Sequence, residues 1–446
     1  MKILIKNVEI ITQNPGEEIL TGDVLVEDTR IAAVGQIEPG TPADKVIDGT
    51  GKTLIPGFVQ THIHLCQTLF RGQADDLELM DWLRKRIWPL EASHDEESNY
   101  WSALLGIGEL IESGTTSLVD METVHHTESA FNALAESGIR AMSGKVMMDH
   151  GAEVPAGLFE DTADSLDQSV QLLKKWHGYD GGRIQYAFCP RFVVSCTEKL
   201  LTGVRDLSAY YDVMVHTHAS ENRGEIALVE AERGMRNVQY LEHIGLANER
   251  LILAHSIWLD EQERQILAQR NVKVTHCISS NLKLSSGIAD VPGLKEAGII
   301  VGLGADGAAC SNNLDMFQEM RIAAMVQKVL HGPTCLPARE VFKMATMGGA
   351  QVMRLEKEIG SIEVGKRADL VLMDLNQLHA FPSTGVDPIS RLVYSASKRD
   401  VETVIINGRV VMENHQLTTI DRAAVLRNSN EAIDRLLKRS GVNAKV

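Results

Sequence analysis

The sequence contains no C-x-x-C pair, and its six cysteines (Cys66, Cys189, Cys196, Cys277, Cys310 and Cys335) lack the regular spacing that staples small secreted domains. Their distribution points to a reducing compartment and to buried free thiols. Basic runs do not extend beyond a triplet such as Arg84-Lys85-Arg86, and the formal charge is −16. A field of that sign repels phosphate backbones and anionic lipid, so neither nucleic acid nor a membrane surface is an expected partner. No apolar stretch approaches the roughly 18 residues of a membrane-spanning helix. Met1 to Lys6 reads as a strand broken by charge, not as a secretory signal, and the expected location is the cytoplasm. Internal repeats and low-complexity tracts are also missing.

What is present is an ordinary globular composition, 44% apolar and 23% charged, in 446 residues. That length exceeds one ordinary core but suits a barrel of about 250–300 residues with a smaller domain. Residues 1–55 alternate short apolar runs with Gly, Pro and Asp clusters, the pattern of a small antiparallel sheet. From Leu54 the pattern becomes strand, helix, strand. Candidate strands lie at 54–64, 116–120, 140–149, 183–190, 213–218, 251–255, 272–276 and 299–303, with amphipathic stretches between them. Eight such units predict a (β/α)₈ barrel over 56–360. Short strands return near 368–374 and 401–411, so residues 1–55 and 361–420 are expected to form one small β-sandwich domain into which the barrel is inserted. Residues 421–446 are expected to place a helix on the outside.

Barrel enzymes carry their chemistry at the C-terminal ends of the strands. Here the first strand ends in His62-Ile63-His64, the fifth reads His216-Thr217-His218-Ala219-Ser220-Glu221, the sixth ends in His255, and the eighth runs on to Asp306. An i, i+2 pair on a strand shares one face, which lets one rigid element offer two imidazoles to a metal. His216 and His218 share a face too. His218 lies nearer the mouth and is the favoured ligand, with His216 a hydrogen-bonded residue in the layer below. Three imidazoles and one carboxylate suit Zn²⁺ with an open position for water, and are compatible with Fe²⁺ or Mn²⁺.

This constellation resembles the amidohydrolase superfamily over nearly the whole chain. The stretches that carry the likeness are Pro56-Gly57-Phe58-Val59-Gln60-Thr61-His62-Ile63-His64, His218-Ala219-Ser220-Glu221, the His255 strand, Gly304-Ala305-Asp306-Gly307-Ala308-Ala309, and Gly360-Ser361-Ile362-Glu363-Val364-Gly365-Lys366-Arg367-Ala368-Asp369-Leu370. Asp306 to Asn313 is similar to the branch of methylthioadenosine/S-adenosylhomocysteine deaminases and triazine hydrolases. No lysine ends the fourth strand, as the carboxylated-lysine dinuclear subtype would require. The resemblance implies one divalent metal per chain, held by His62, His64, His218 and Asp306. It also implies that Glu221 protonates a ring nitrogen, that His255 orients the attacking water, and that Asp306 takes that water's proton. Ser279, Ser280, Asn281 and Lys283, after His276, resemble a segment that shapes the pocket wall.

Substrate selection falls to the loop from Leu65 to about Ser93, which carries Trp82, Trp88 and Glu91. In nucleoside deaminases of this branch a Glu following a Pro here binds the ribose hydroxyls, and Pro89-Leu90-Glu91 matches that arrangement. Two positions depart from the branch. Lys145 stands where an arginine meets the amino-acid tail of S-adenosylhomocysteine, and Arg191 stands where a histidine follows the fourth-strand proline. The expected substrate contacts are Glu91, Lys145, Arg191 and Trp88. The expected activity is metal-dependent deamination of an adenine-type nucleoside of the methylthioadenosine, S-adenosylhomocysteine or 5′-deoxyadenosine class. The alternatives are a deaminase or chlorohydrolase of a free heterocycle (guanine, 8-oxoguanine, a pterin or an s-triazine) and an inactive barrel scaffold. The branch also implies a homo-oligomer acting on a small molecule.

Overall fold

The structure, a computed structural model, describes residues 1–151 and 153–442. In the first strand, Lys2–Ile11, a bulge between Ile5 and Val8 switches the buried parity, so that Ile3, Ile5, Val8 and Ile10 all face one apolar cluster. Both chain ends contribute to this sheet. Its nine strands run from Gln416–Leu417 through Leu370–Met373 and Thr53–Pro56 to Arg30–Gly35, and the two halves meet where Thr53–Pro56 pairs antiparallel with Leu370–Met373.

The second sheet consists of eight parallel strands: Phe58–Ile63, Thr115–Met121, Arg140–Gly144, Ile184–Tyr186, Val215–Ala219, Leu251–His255, Lys273–His276 and Val301–Leu303. Bridges from Phe188 to Val215 and from Phe192 to His218 close it between the fourth and fifth strands. Helices such as Glu96–Glu112, Thr162–Trp176 and Met316–His331 separate the strands. This is the (β/α)₈ architecture that the alternation predicts.

The expected strand 54–64 proves to be two. Thr53–Pro56 belongs to the outer sheet and Phe58–Ile63 to the barrel, with Gly57 between them. A Cβ on Gly57 would lie 2.1 Å from the Thr116 side chain, so only glycine lets the chain pass from one sheet into the other against the second barrel strand. Phe58 then anchors the barrel strand, meeting the Phe317 ring edge-on at 5.0 Å, a contact worth about 0.5–1.5 kcal/mol beyond its buried area.

A buried ion pair joins the two sheets at the foot of the barrel. Arg140 donates from Nε to Asp369 Oδ2 at 2.7 Å and from Nη2 to Oδ1 at 3.1 Å, and the Asn407 backbone N–H also donates to Oδ1 at 2.7 Å. The C-terminal helix Arg422–Ser440 lies against Glu96–Glu112, where Arg435 reaches Glu97 at 2.8 Å. Among the described residues, no helix is long and apolar enough to cross a membrane.

Candidate active site

At the C-terminal ends of the strands, Ser220, His255, Ser256 and Asp306 have φ of 55°, 71°, 49° and 64°. A side chain in this left-handed region costs about 1–3 kcal/mol, and such residues cluster where function fixes the backbone. Gly304 permits the turn into Asp306, because a Cβ there would meet the His62 backbone at 2.7 Å. The Asp306 N–H then donates to His62 O at 3.0 Å, which locks the eighth strand to the first.

Each histidine of the cluster has its Nδ1 engaged. His64 Nδ1 donates to Met121 O and His218 Nδ1 donates to Arg191 O, both at 2.7 Å. A carbonyl can only accept, so each neutral ring turns a bare Nε2 inward. Those two Nε2 atoms lie 3.3 Å apart with no proton to share. Asp306 Oδ1 sits 3.3 Å from His62 Nε2 and 3.3 Å from His64 Nε2, and His62 Nε2 is buried without a hydrogen-bond partner. Burial pushes His64 down to about 3 and also lowers His62 and His218, which keeps the rings neutral. Burial alone would raise Asp306, but the neighbouring imidazoles of His62, His64 and His255 outweigh it and hold the carboxyl well below the usual carboxylate range. Lone pairs converging on one point without protons between them fit a divalent cation.

His216 lies behind His62, with its Nε2 2.6 Å from His62 Nδ1 and its own Nδ1 3.3 Å from Ile252 O. Asp306 Oδ2 accepts from Ser280 Oγ at 2.6 Å, and Asp306 Oδ1 accepts from the Gly307 N–H at 2.7 Å. His255 Nδ1 donates to Asn281 Oδ1 at 2.8 Å, which aims Nε2 at Glu221 Oε2, 3.4 Å away, and at Asp306 Oδ2, 3.9 Å away. Burial raises Glu221 to about 7, with the His255 charge opposing the shift. Ser286 Oγ donates to Glu221 Oε1 at 3.2 Å, and the Glu221 N–H donates to Glu225 Oε2 at 2.9 Å.

A cavity opens above these groups. His64, His218, Glu221, His255 and Asp306 line its floor, and Leu79, Trp82, Leu83, Phe192 and Leu284 line its walls together with Arg191 and Glu225.

The four expected substrate contacts are placed differently. Arg191 lines the cavity, whereas Glu91 lies behind it, 3% exposed and bonded to Arg191. Lys145 is tied to Glu160 and to Val146 O and faces a separate surface cleft beside His125, so its charge is already matched away from the cavity floor. Trp88 packs in an apolar cluster with Leu83, Ile87 and Leu90, and the indole on the cavity wall is that of Trp82, six residues earlier. Ser280 and Asn281 hold Asp306 and His255 from a short helix after the seventh strand.

Glu225, Ser286 and Gln67 were not singled out by the sequence. Glu225 had a visible signal, since it stands four residues after Glu221 in the first turn of the helix Arg223–Arg233. Ser286 and Gln67 had none.

Residues 53–411 match the model of the amidohydrolase family. The chain is 41% identical over 439 residues to the 5′-deoxyadenosine deaminase of Methanobrevibacter smithii, covering 98% of this chain and 99% of the relative. It is also 41% identical over 442 residues to the 5-methylthioadenosine/S-adenosylhomocysteine deaminase of Desulforudis audaxviator, covering 98% of this chain and all of that one. Among solved structures, an adenosine deaminase from Xanthomonas campestris with bound zinc superposes with a TM-score of 0.91 at 33% identity, covering 98% of each chain. The matched residues begin in the strand that joins the two sheets and take in all eight barrel strands and the histidine cluster at their mouth; this chain belongs to the amidohydrolase family.

Proposed function

We propose that the chain is a metal-dependent deaminase of adenine-type nucleosides, of the 5′-deoxyadenosine and methylthioadenosine class, that replaces the exocyclic amino group by oxygen and releases ammonia. The observation that carries this reading is the placement of the Glu221 carboxyl, buried at the cavity floor 3.4 Å from His255 and beside the converging imidazoles, where burial pushes it up to about 7. The full-length likeness to two deaminases of such nucleosides supports the same substrate class.

In this reading His62, His64, His218 and Asp306 hold one divalent cation, and Zn²⁺ is the ion that the donor types and the zinc-bound neighbour support. When bound, such a cation acidifies water toward neutrality and stabilises developing negative charge. The chain's own groups do the rest. Asp306 Oδ2 is turned away from the two imidazoles that Oδ1 meets, and it takes the proton of the attacking water. Glu221 gives its proton to the ring nitrogen next to the amino-bearing carbon and regains one from the hydroxyl newly joined to that carbon as the C–N bond breaks, while the proton that Asp306 took from the water goes to the departing amine, which leaves as ammonia. His255 Nε2, aimed by Asn281, orients the water toward that carbon. The apolar walls exclude bulk solvent from the site.

An ammonia-release assay with the ultraviolet shift followed in parallel tests this, using 5′-deoxyadenosine, methylthioadenosine, S-adenosylhomocysteine, guanine, pterins and aminotriazines. The reading expects turnover of the adenine nucleosides. Turnover confined to the free heterocycles would replace it, and turnover of none by metal-loaded protein would remove deamination altogether.

A further inference from the structure

Lys283 ends the short helix Ile278–Lys283 that follows the seventh barrel strand. Its Nζ donates to Asp75 Oδ1, to Asn312 Oδ1 and, at 3.4 Å, to Ala309 O. An ammonium has three N–H groups, so all of them are taken. The acceptors come from two other loops: Asp75 lies after the first strand, and Ala309 and Asn312 lie after the eighth. One side chain thus gathers three of the loops at the mouth of the barrel.

The Lys283 helix and the loop it grips carry different parts of the site. Within the helix, Ser280 holds Asp306 at 2.6 Å and Asn281 aims His255 at 2.8 Å. Across the ion pair, Asp76 to Glu78 lead from Asp75 into the helical stretch whose Leu79, Trp82 and Leu83 line the cavity. Glu78 caps that stretch by accepting from the Asp81 N–H at 3.0 Å, so the chain passes from Asp75 straight into the wall. Further along the same stretch, Arg84 pairs with Glu153 of the loop after the third strand.

The Lys283 and Asp75 side chains are 26% and 36% exposed, and an ion pair this open to solvent contributes little to overall stability. Its consequence is geometric. Resting on the nucleoside reading above, we propose that Lys283 is a positioning residue that acts through Asp75 to keep Leu79, Trp82 and Leu83 closed over the bound nucleoside, while its own helix keeps Asp306 and His255 in place. Without the tie the wall spends part of its time away from the substrate. The apparent affinity then falls in proportion to the closed fraction, whereas the reacting groups stay where they are. KM carries the effect and kcat does not.

Hydrogen exchange followed by mass spectrometry, and steady-state kinetics with 5′-deoxyadenosine, test this on the metal-loaded wild type, Lys283→Met, Lys283→Arg, Asp75→Ala and the Lys283→Met/Asp75→Ala double variant. In Lys283→Met and in Asp75→Ala the amides of residues 77–86 are expected to exchange about tenfold faster, with the barrel strands Phe58–Ile63 and Val215–Ala219 unchanged. KM should rise about 5- to 20-fold with kcat held within about threefold. The double variant should cost no more than the worse single variant, because each removes the same tie. Lys283→Arg keeps the charge and the donors and should recover most of the KM. Asp75→Ala alters a loop side chain only and keeps the test in force where Lys283→Met fails to fold. A fall in kcat and in metal retention in Lys283→Met, with exchange at 77–86 unchanged, would overturn the proposal by showing that Lys283 acts on Asp306 alone. Unchanged KM in both single variants would overturn it too, and would leave the nucleoside reading intact. Wild-type protein that deaminates no adenine nucleoside would instead overturn the nucleoside reading, and the exchange comparison, which needs no substrate, would still decide whether Lys283 ties the wall to its helix.

Discussion

His62 Nδ1 and His216 Nε2 stand 2.6 Å apart, both rings fully buried, with His216 Nδ1 directed at Ile252 O. His64 and His218 each donate directly to a main-chain carbonyl, whereas His62 reaches its carbonyl through a second imidazole. The direction of donation runs from His62 to His216 to Ile252, because the carbonyl at the far end accepts only. That direction leaves His62 Nε2 bare at the point where Asp306 and His64 converge. His216 thus sets the tautomer of a residue placed to ligate a metal, a function that hydrogen-bonded partners of metal-binding histidines commonly serve.

Replacing His216 should weaken metal retention without dismantling the barrel. His216→Leu removes the acceptor and is expected to lower metal affinity about 10- to 100-fold. His216→Gln keeps an acceptor and should lose less. Competition with a chromophoric chelator measures both, and circular dichroism reports the fold. Equal affinity in the leucine variant and the wild type would show that the relay does not act on His62.

Glu221→Gln should preserve cavity shape while removing the proton donor. kcat is expected to fall by about 10²- to 10⁴-fold, with KM for the nucleoside changed by only a few-fold. Stopped-flow absorbance on metal-loaded protein gives both values. A variant within tenfold of the wild type in kcat would transfer the proton role to another group, and Glu225, which lines the same cavity, is a carboxylate that could take it.

Glu319 supplies a stability prediction away from the reacting groups. Burial raises it to about 8, and its Oε1 has no hydrogen-bond partner. Unfolded, it titrates near the ordinary value of about 4.3. Between those values the folded state binds more protons than the unfolded state, so this residue's contribution to stability declines as pH rises from about 4.3 to about 8. Glu319→Gln removes that decline. Its melting temperature should match the wild type near pH 5 and exceed it by a few degrees, about 2–4 °C, at pH 8.5. Calorimetry at the two pH values checks this, and a pH-independent difference would count against the raised value.

The Arg140–Asp369 pair tests what joins the two sheets. Arg140→Met or Asp369→Leu alone leaves a buried unpaired charge and should cost about 3–5 kcal/mol by denaturant unfolding, while the double variant should recover most of it. Metal content per folded molecule should stay the same, since the pair lies at the opposite end of the barrel from the histidines.

Much of this was legible in the sequence because the barrel repeats a simple period, and because strand ends carrying His62, His64, His218 and Asp306 announce themselves by position. The break at Gly57 was hidden because the apolar, β-favouring run from Leu54 to Val59 leads straight on into the two histidines, and only the close approach of Thr116 shows where one sheet yields to the other. The Glu91–Arg191 and Lys145–Glu160 pairs were hidden for a different reason. A charged residue in a sequence carries no mark of whether its partner is a ligand or another side chain. Trp88 and Trp82 sit in the same short helical stretch, and which of the two indoles reaches the cavity depends on how that stretch is rotated against the barrel.

His62, His64, His218 and Asp306 are proposed to hold one divalent cation on which deamination depends. Metal analysis by inductively coupled plasma mass spectrometry, alongside ammonia release, on wild type and His218→Ala tests it most directly. About one transition-metal ion per chain is expected in the active wild type, and the variant is expected to lose both metal and activity while its melting transition is retained. Full ammonia release from wild-type protein free of transition metal, or undiminished metal binding in His218→Ala, would contradict it.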